Sequence, residues 1–171
     1  MTVAVTTLLA ACSSEPASRD AIAARAEPAG IAPELVHVTS VDGFDLMTQS
    51  VGVMGSDGMS AVYLRQDDGA TLLLTTAREP APDVAPCADL PDVAEPVLRC
   101  VVERADAAVQ IDAEGVEPST LREAGEAVRV PTPGELERLF ADVRPVQGPP
   151  VERGDLPPGD GAPDNEPGPG G

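Results

Sequence analysis

The chain contains no lysine and no tryptophan, and its 171 residues include only one histidine, one tyrosine and two phenylalanines. Each scarcity removes a class of function. Without lysine there is no Ser–Lys chemistry. With Phe44, Tyr63 and Phe140 as the only aromatics, no platform exists on which bases or sugars stack, and the core has to be made of valine, leucine and alanine. Basic charge is scarce as well. Eleven arginines face 29 acidic residues, a net charge of −18, so nucleic acid is not an expected partner, because phosphate recognition needs a basic surface. Adhesion to anionic lipid head groups through charge is disfavoured for the same reason. Abundant Ala, Arg, Gly and Pro beside absent Lys read as the codon bias of a high-G+C genome.

Catalytic signatures are missing too. A Ser-His-Asp enzyme would have to use His37, the only histidine, and no Gly-x-Ser-x-Gly elbow is present. There is no phosphate loop and no dinucleotide fingerprint, so no cofactor is expected. Ser56-Asp57-Gly58 and Asp67-Asp68-Gly69 do not continue as a calcium loop ending in Glu, and they read as turns, since Asp and Gly are what turns require. His37 reads as a partly buried structural residue in a strand, sharing a face with Leu35, Thr39 and Val41. The expectation is no catalytic residue and no metal ligand.

What the chain does have is Leu9-Ala10-Ala11-Cys12, preceded by a mostly apolar run from Met1 and followed by Ser13-Ser14-Glu15. This is the order of a signal peptide's apolar core and small-residue cleavage region. Over those four residues it resembles the lipobox of bacterial lipoproteins. The resemblance implies removal of residues 1–11 and acylation of Cys12 with diacylglycerol and a further chain such as palmitate. Two or more chains make stable anchoring. The first residues carry no basic flank, which is expected if the true start lies upstream of Met1. The organisation is similar to that of small secreted lipoproteins of high-G+C Gram-positive bacteria that carry a cysteine pair and no assigned activity.

With Cys12 given to lipid, Cys87 and Cys100 remain. In an oxidising compartment an even pair reads as one disulfide. The rivals are a redox pair or a metal site. The spacing is not Cys-x-x-Cys, and a lone histidine adds little to a metal site.

Along the chain, residues 12–33 read as lipid tether and linker, with a short helix capped by Ser18. A domain is expected over 34–144. Residues 35–41 form a run of strand formers, Asp42-Gly43 a hairpin turn, and 44–54 a second strand that needs a bulge near Gly52. Residues 59–66 and 70–76 complete four strands joined by short turns, a meander. A long, proline-rich, acidic loop follows over 78–96 and carries Cys87. Residues 97–103 and 107–112 are two more strands. Leu121, Ala124 and Val128 make one helical stripe, with Pro118 in the first turn. Thr132-Pro133-Gly134-Glu135 is a capping box, followed by Leu136, Leu139, Phe140 and Val143 at helical spacing. Of residues 145–171, fifteen are Pro or Gly and five are acidic, a composition that reads as a disordered tail.

The expected fold is α+β: an antiparallel sheet of five or six strands with two C-terminal helices on one face. The expected function is a non-enzymatic binding or accessory protein, lipid-anchored through Cys12 at the outer face of the cytoplasmic membrane. Its partners would be membrane lipid and an envelope ligand or membrane protein. The alternatives are a carboxylate-dependent cell-envelope enzyme and a regulatory partner of a membrane protein.

Overall fold

From Phe44 onward the alternation of inward apolar and outward polar residues produces five strands: β1 (Phe44–Met54), β2 (Gly58–Arg65), β3 (Thr71–Ala77), β4 (Val97–Arg104) and β5 (Ala107–Glu114). The computed structural model describes residues 15–93 and 95–145. Short turns join β1, β2 and β3 as an antiparallel meander. At Asp67-Asp68-Gly69 the turn closes by donation from the Gly69 N–H to the Arg65 carbonyl, with Gly69 at φ 76°, a backbone region that β-carbon-bearing residues avoid. Pairing of β1 with β2 slips between Met47 and Gly52, the bulge that the uneven alternation of this strand demands. There Ser50 replaces a lost ladder bond: its hydroxyl donates to the Met47 carbonyl at 2.6 Å and accepts from the Val62 N–H at 2.7 Å.

After β3 the chain crosses to the far edge, makes β4, and returns as β5 between them. The strand order is β1-β2-β3-β5-β4, all neighbours antiparallel. The inward rows, such as Ala61, Leu74, Ile111 and Cys100, are fully buried. Helices α2 (Pro118–Glu126) and α3 (Pro133–Leu139) cover that face with Leu121, Ala124, Leu136 and Leu139. The result is the α+β architecture expected, with five strands.

The Cys87–Cys100 disulfide is formed and buried, and it ties a 3-10 turn at Cys87–Asp89 to β4. Helix α2 crosses this point at Gly125. A β-carbon there would lie 2.5 Å from the Cys87 Cβ and 2.9 Å from its Sγ, so glycine is what lets helix and disulfide meet. Arg122 holds the rest of the excursion, donating to the Leu90 carbonyl at 2.8 Å and pairing with Asp92.

Two expectations are corrected. Residues 35–41 are not a strand. Pro33–Leu35 is a 3-10 turn, and only Val38 makes a β-bridge, to Arg129. The segment threads between helices and sheet with Leu35, Val36, His37, Val38, Thr39 and Val41 all buried. Strand propensity in large part measures fitness for burial, and here burial on all sides uses it up without a ladder. Nor do residues 17–33 form a linker. Helix α1 (Arg19–Ala26), capped by the Ser18 hydroxyl at 3.2 Å, buries Ile22 and Ala26, and Ala17, Ala29 and Ile31 join the core. The folded body therefore begins near Ala17. The proposed signal peptide, Cys12 and residues 146–171 lie outside the described residues.

The capping box at α3 is present. Glu135 accepts from the Thr132 N–H and hydroxyl, both at 2.8 Å, and makes a two-pronged pair with Arg129 at 2.6 Å. The Arg129 guanidinium and these donors hold the Glu135 carboxyl at about 2, against about 4.3 in an unfolded chain. The unfolded state thus binds the proton first as acid is added. The stability from this group is full above about pH 4.3 and is lost as pH falls through 2. Because the side chain is partly exposed, the contribution is about 1 kcal/mol. Urea unfolding at pH 7 should therefore show Glu135→Gln weakened by about 1–2 kcal/mol, cap included, and at pH 3 the gap to the parent should narrow.

Candidate functional site

Between α1 and the β4–β5 turn lies a cleft of about 580 Å³, within the range of small-molecule sites. Other depressions among the described residues hold about 290, 180 and 100 Å³. The cleft follows from the two corrected segments. Ser18 starts α1, and Ile22 and Ala23, four and five positions on, face across to Val36 and Val130. Donation from the Ala17 N–H to the Pro131 carbonyl (2.8 Å) closes one end. The Pro33–Glu34 wall is held by the Ala32 N–H on the Asp57 carbonyl (2.8 Å) and by Arg78, which pairs with both Glu34 and Asp57 at 2.7 Å.

The walls are mainly apolar, with six charged or polar residues among the fourteen that line them. His37 contributes to the lining and is 5% exposed. Its Nδ1 is shut off from solvent and has no hydrogen-bond partner among the described residues. A buried polar atom left unpaired costs about 1–3 kcal/mol. Arg104 stands beside it, donating to the Glu103 carbonyl at 3.2 Å and the Val128 carbonyl at 2.8 Å. These carbonyls orient the guanidinium without neutralising it, and among the described residues no carboxylate bridges to it. Arg104 is itself exposed and shares the rim with Arg19, Asp20, Glu34 and Asp106.

Burial lowers the pKa of His37; the Leu35 carbonyl opposes this and the Arg104 charge adds to it. The imidazole is thus favoured neutral in the folded protein. Since the folded value lies below the unfolded value of about 6.5, acid favours the unfolded state. The stability is full above pH 6.5 and falls as pH drops below it. Thermal unfolding followed from pH 7.5 to 5.5 should show a falling midpoint for the parent chain and a flatter profile for His37→Gln.

The other candidates are spatially separate in role. Cys87 and Cys100 are joined to each other, and neither lines the cleft. Asp68 is held at about 2 by its ion pair with Arg65 and caps the Ala70 N–H at 3.1 Å, so its triplet serves the turn. Asp57 likewise serves the Arg78 cluster. Among the described residues no three His, Cys, Asp or Glu side chains converge as a metal ion requires. His37 is the one cleft residue that the sequence singles out. Arg104 and Val130 reach it from 67 and 93 positions away, and no local pattern announces such a meeting.

Comparison of the chain with protein-family models, with curated proteins and with solved structures returns no match.

Proposed function

We propose that the protein is a non-catalytic binding module, lipid-anchored through Cys12 at the outer face of the cytoplasmic membrane, with the α1 cleft as its binding site. The observation that carries the binding reading is the cleft itself: apolar walls and an arginine that, among the described residues, has carbonyl partners and no carboxylate partner. Export is supported by the buried Cys87–Cys100 disulfide, a bond typical of oxidising compartments. Among the described residues no helix is long and apolar enough to cross a membrane, so none of them supplies a helical anchor. The five residue steps from Cys12 to Ala17 reach at most about 17 Å when extended, which would keep the cleft close to the head groups.

Against the carboxylate-enzyme alternative stands the state of the two most tightly held acids. Asp68 and Glu135 are pushed down to about 2 by arginine, away from what a general acid needs. The regulatory-partner alternative draws on Val93 and Val97, exposed at the end of the 78–96 excursion.

The deciding experiment is the intact mass of the protein from its native membrane fraction, before and after reduction. A chain beginning at Cys12 and heavier by its acyl groups is expected, gaining two hydrogens on reduction. An unlipidated chain beginning at Met1 would overturn the anchor.

A further inference from the structure

We infer that the cleft takes a single-chain amphiphile with an anionic head group, the head meeting Arg104 and His37 and the apolar body lying against Ile22, Ala23, Val36 and Val130. The inference rests on the cleft's being the binding site, and it deepens that reading by naming the ligand's chemistry.

The sign of the head group follows from which charges in the cleft are already occupied. Glu34 is turned toward Arg78, which pairs with it at 2.7 Å and shares its charge between Glu34 and Asp57. Arg104 is held in place by two neutral carbonyls, which leaves its charge and its remaining N–H donors for a ligand. Arg19 and the first turn of α1, whose backbone N–H groups carry partial positive charge, flank the same opening. Asp20 and Asp106 oppose these and are as exposed as Arg104, but among the described residues no hydrogen bond holds either carboxylate in place, whereas two carbonyls fix the guanidinium. The imidazole also lines the cleft; its Nδ1 is shut off from solvent and lies beyond a guest's reach, so the head group meets only the accessible edge of the ring.

The apolar body follows from the walls. Ile22 and Val36 are buried at the base, and Ala23 and Val130 are half-buried at the sides. With no Phe, Tyr or Trp in the lining, little favours a flat ring by stacking, whereas an aliphatic chain gains from each methylene it hides. Carboxylate and phosphate-monoester heads share the chemistry that Arg104 recognises.

The test uses the full chain and three probes below their aggregation limits: decanoate, decyl phosphate and decanol, titrated by calorimetry. Both anions should bind at least tenfold more tightly than decanol. Arg104→Gln should weaken the anions about tenfold and leave decanol unchanged. Ala23→Trp, or Val130→Phe should the first variant not fold, should abolish binding of all three. The tighter of the two anions identifies the head group. Equal binding of decanol and the anions, insensitive to Arg104→Gln but blocked by Ala23→Trp, overturns the anionic class and leaves the cleft as the site. No binding of any probe, or binding that the filled cleft does not affect, overturns both the ligand class and the cleft as binding site.

Discussion

Removing the Cys87–Cys100 bond, by reduction or as the Cys87→Ala/Cys100→Ala pair, is expected to cost about 3 kcal/mol on the loop-entropy relation for its sequence separation of 13. The native side of that balance is favourable for a clean measurement. Cys87 and Cys100 are 4% and 0% exposed, so alanine at both leaves a small apolar void and no orphaned polar group. The excursion also has holdings that survive the loss: the Val101 N–H on the Ala85 carbonyl at 3.0 Å, and the Arg122 contacts to Leu90 and Asp92. The chain should therefore still fold, with its urea midpoint lowered and its thermal midpoint down by several degrees. Hydrogen exchange should localise the loosening to residues 83–92 and to α2, which rests on Cys87 through Gly125. A loss below about 1 kcal/mol would mean that the arginine and backbone contacts already restrain the loop in the unfolded ensemble, contrary to the entropy relation.

The parts of the fold that were legible in the sequence are those decided locally. The strands from Phe44 to Glu114 follow period-two burial bounded by Gly and Asp turns, and the bulge follows from a strand whose apolar residues change face. The α3 capping box is spelled out by Thr132 and Glu135. The disulfide was legible by elimination among three cysteines. What was not legible depends on partners far along the chain. Helix α1 offers alanines on every side and no apolar stripe, so only the depth of Ile22 and Ala26 in the finished core marks it as structural. The run at 35–41 satisfies its strand-like residues by contact on all sides, which the sequence writes in the same letters as a ladder. The placing of β5 between β3 and β4 is set by which edges remain free once the meander is made. The cleft combines both misread segments with Arg104 from β4, and so its existence could not precede theirs.

Gly58→Ala is expected to cost at least about 3 kcal/mol, at the upper end of what overpacking does. Gly58 opens β2 and is buried where β1 ends and β3 ends. A β-carbon there would overlap the Thr76 carbonyl oxygen and lie 2.8 Å from the Met54 carbonyl oxygen. Both are main-chain atoms, so relief requires parting the ladder at Met54↔Gly58 or at the neighbouring Ser60↔Thr75 pair. It also disturbs Thr76, whose buried hydroxyl accepts from the Met59 N–H at 2.8 Å. Alanine's smaller entropy loss on folding offsets only about 0.5–1 kcal/mol of this. Gly52→Ala is the matched control. It lies in the same strand pair, has no atom within 4 Å of the added carbon and no left-handed φ, and should be neutral or slightly stabilising. Urea titrations of the two variants should therefore differ by about 3 kcal/mol or more, and a difference under about 1 kcal/mol would show that the sheet yields at this corner. The same corner reaches the cleft. The Asp57 carbonyl and carboxylate, one residue before Gly58, hold Ala32 and Arg78, and through them the Pro33–Glu34 wall. If the ladder parts at Gly58, that wall loses its support. Decanoate binding should then fall in Gly58→Ala under conditions where the variant is still folded, while Gly52→Ala binds as the parent chain does.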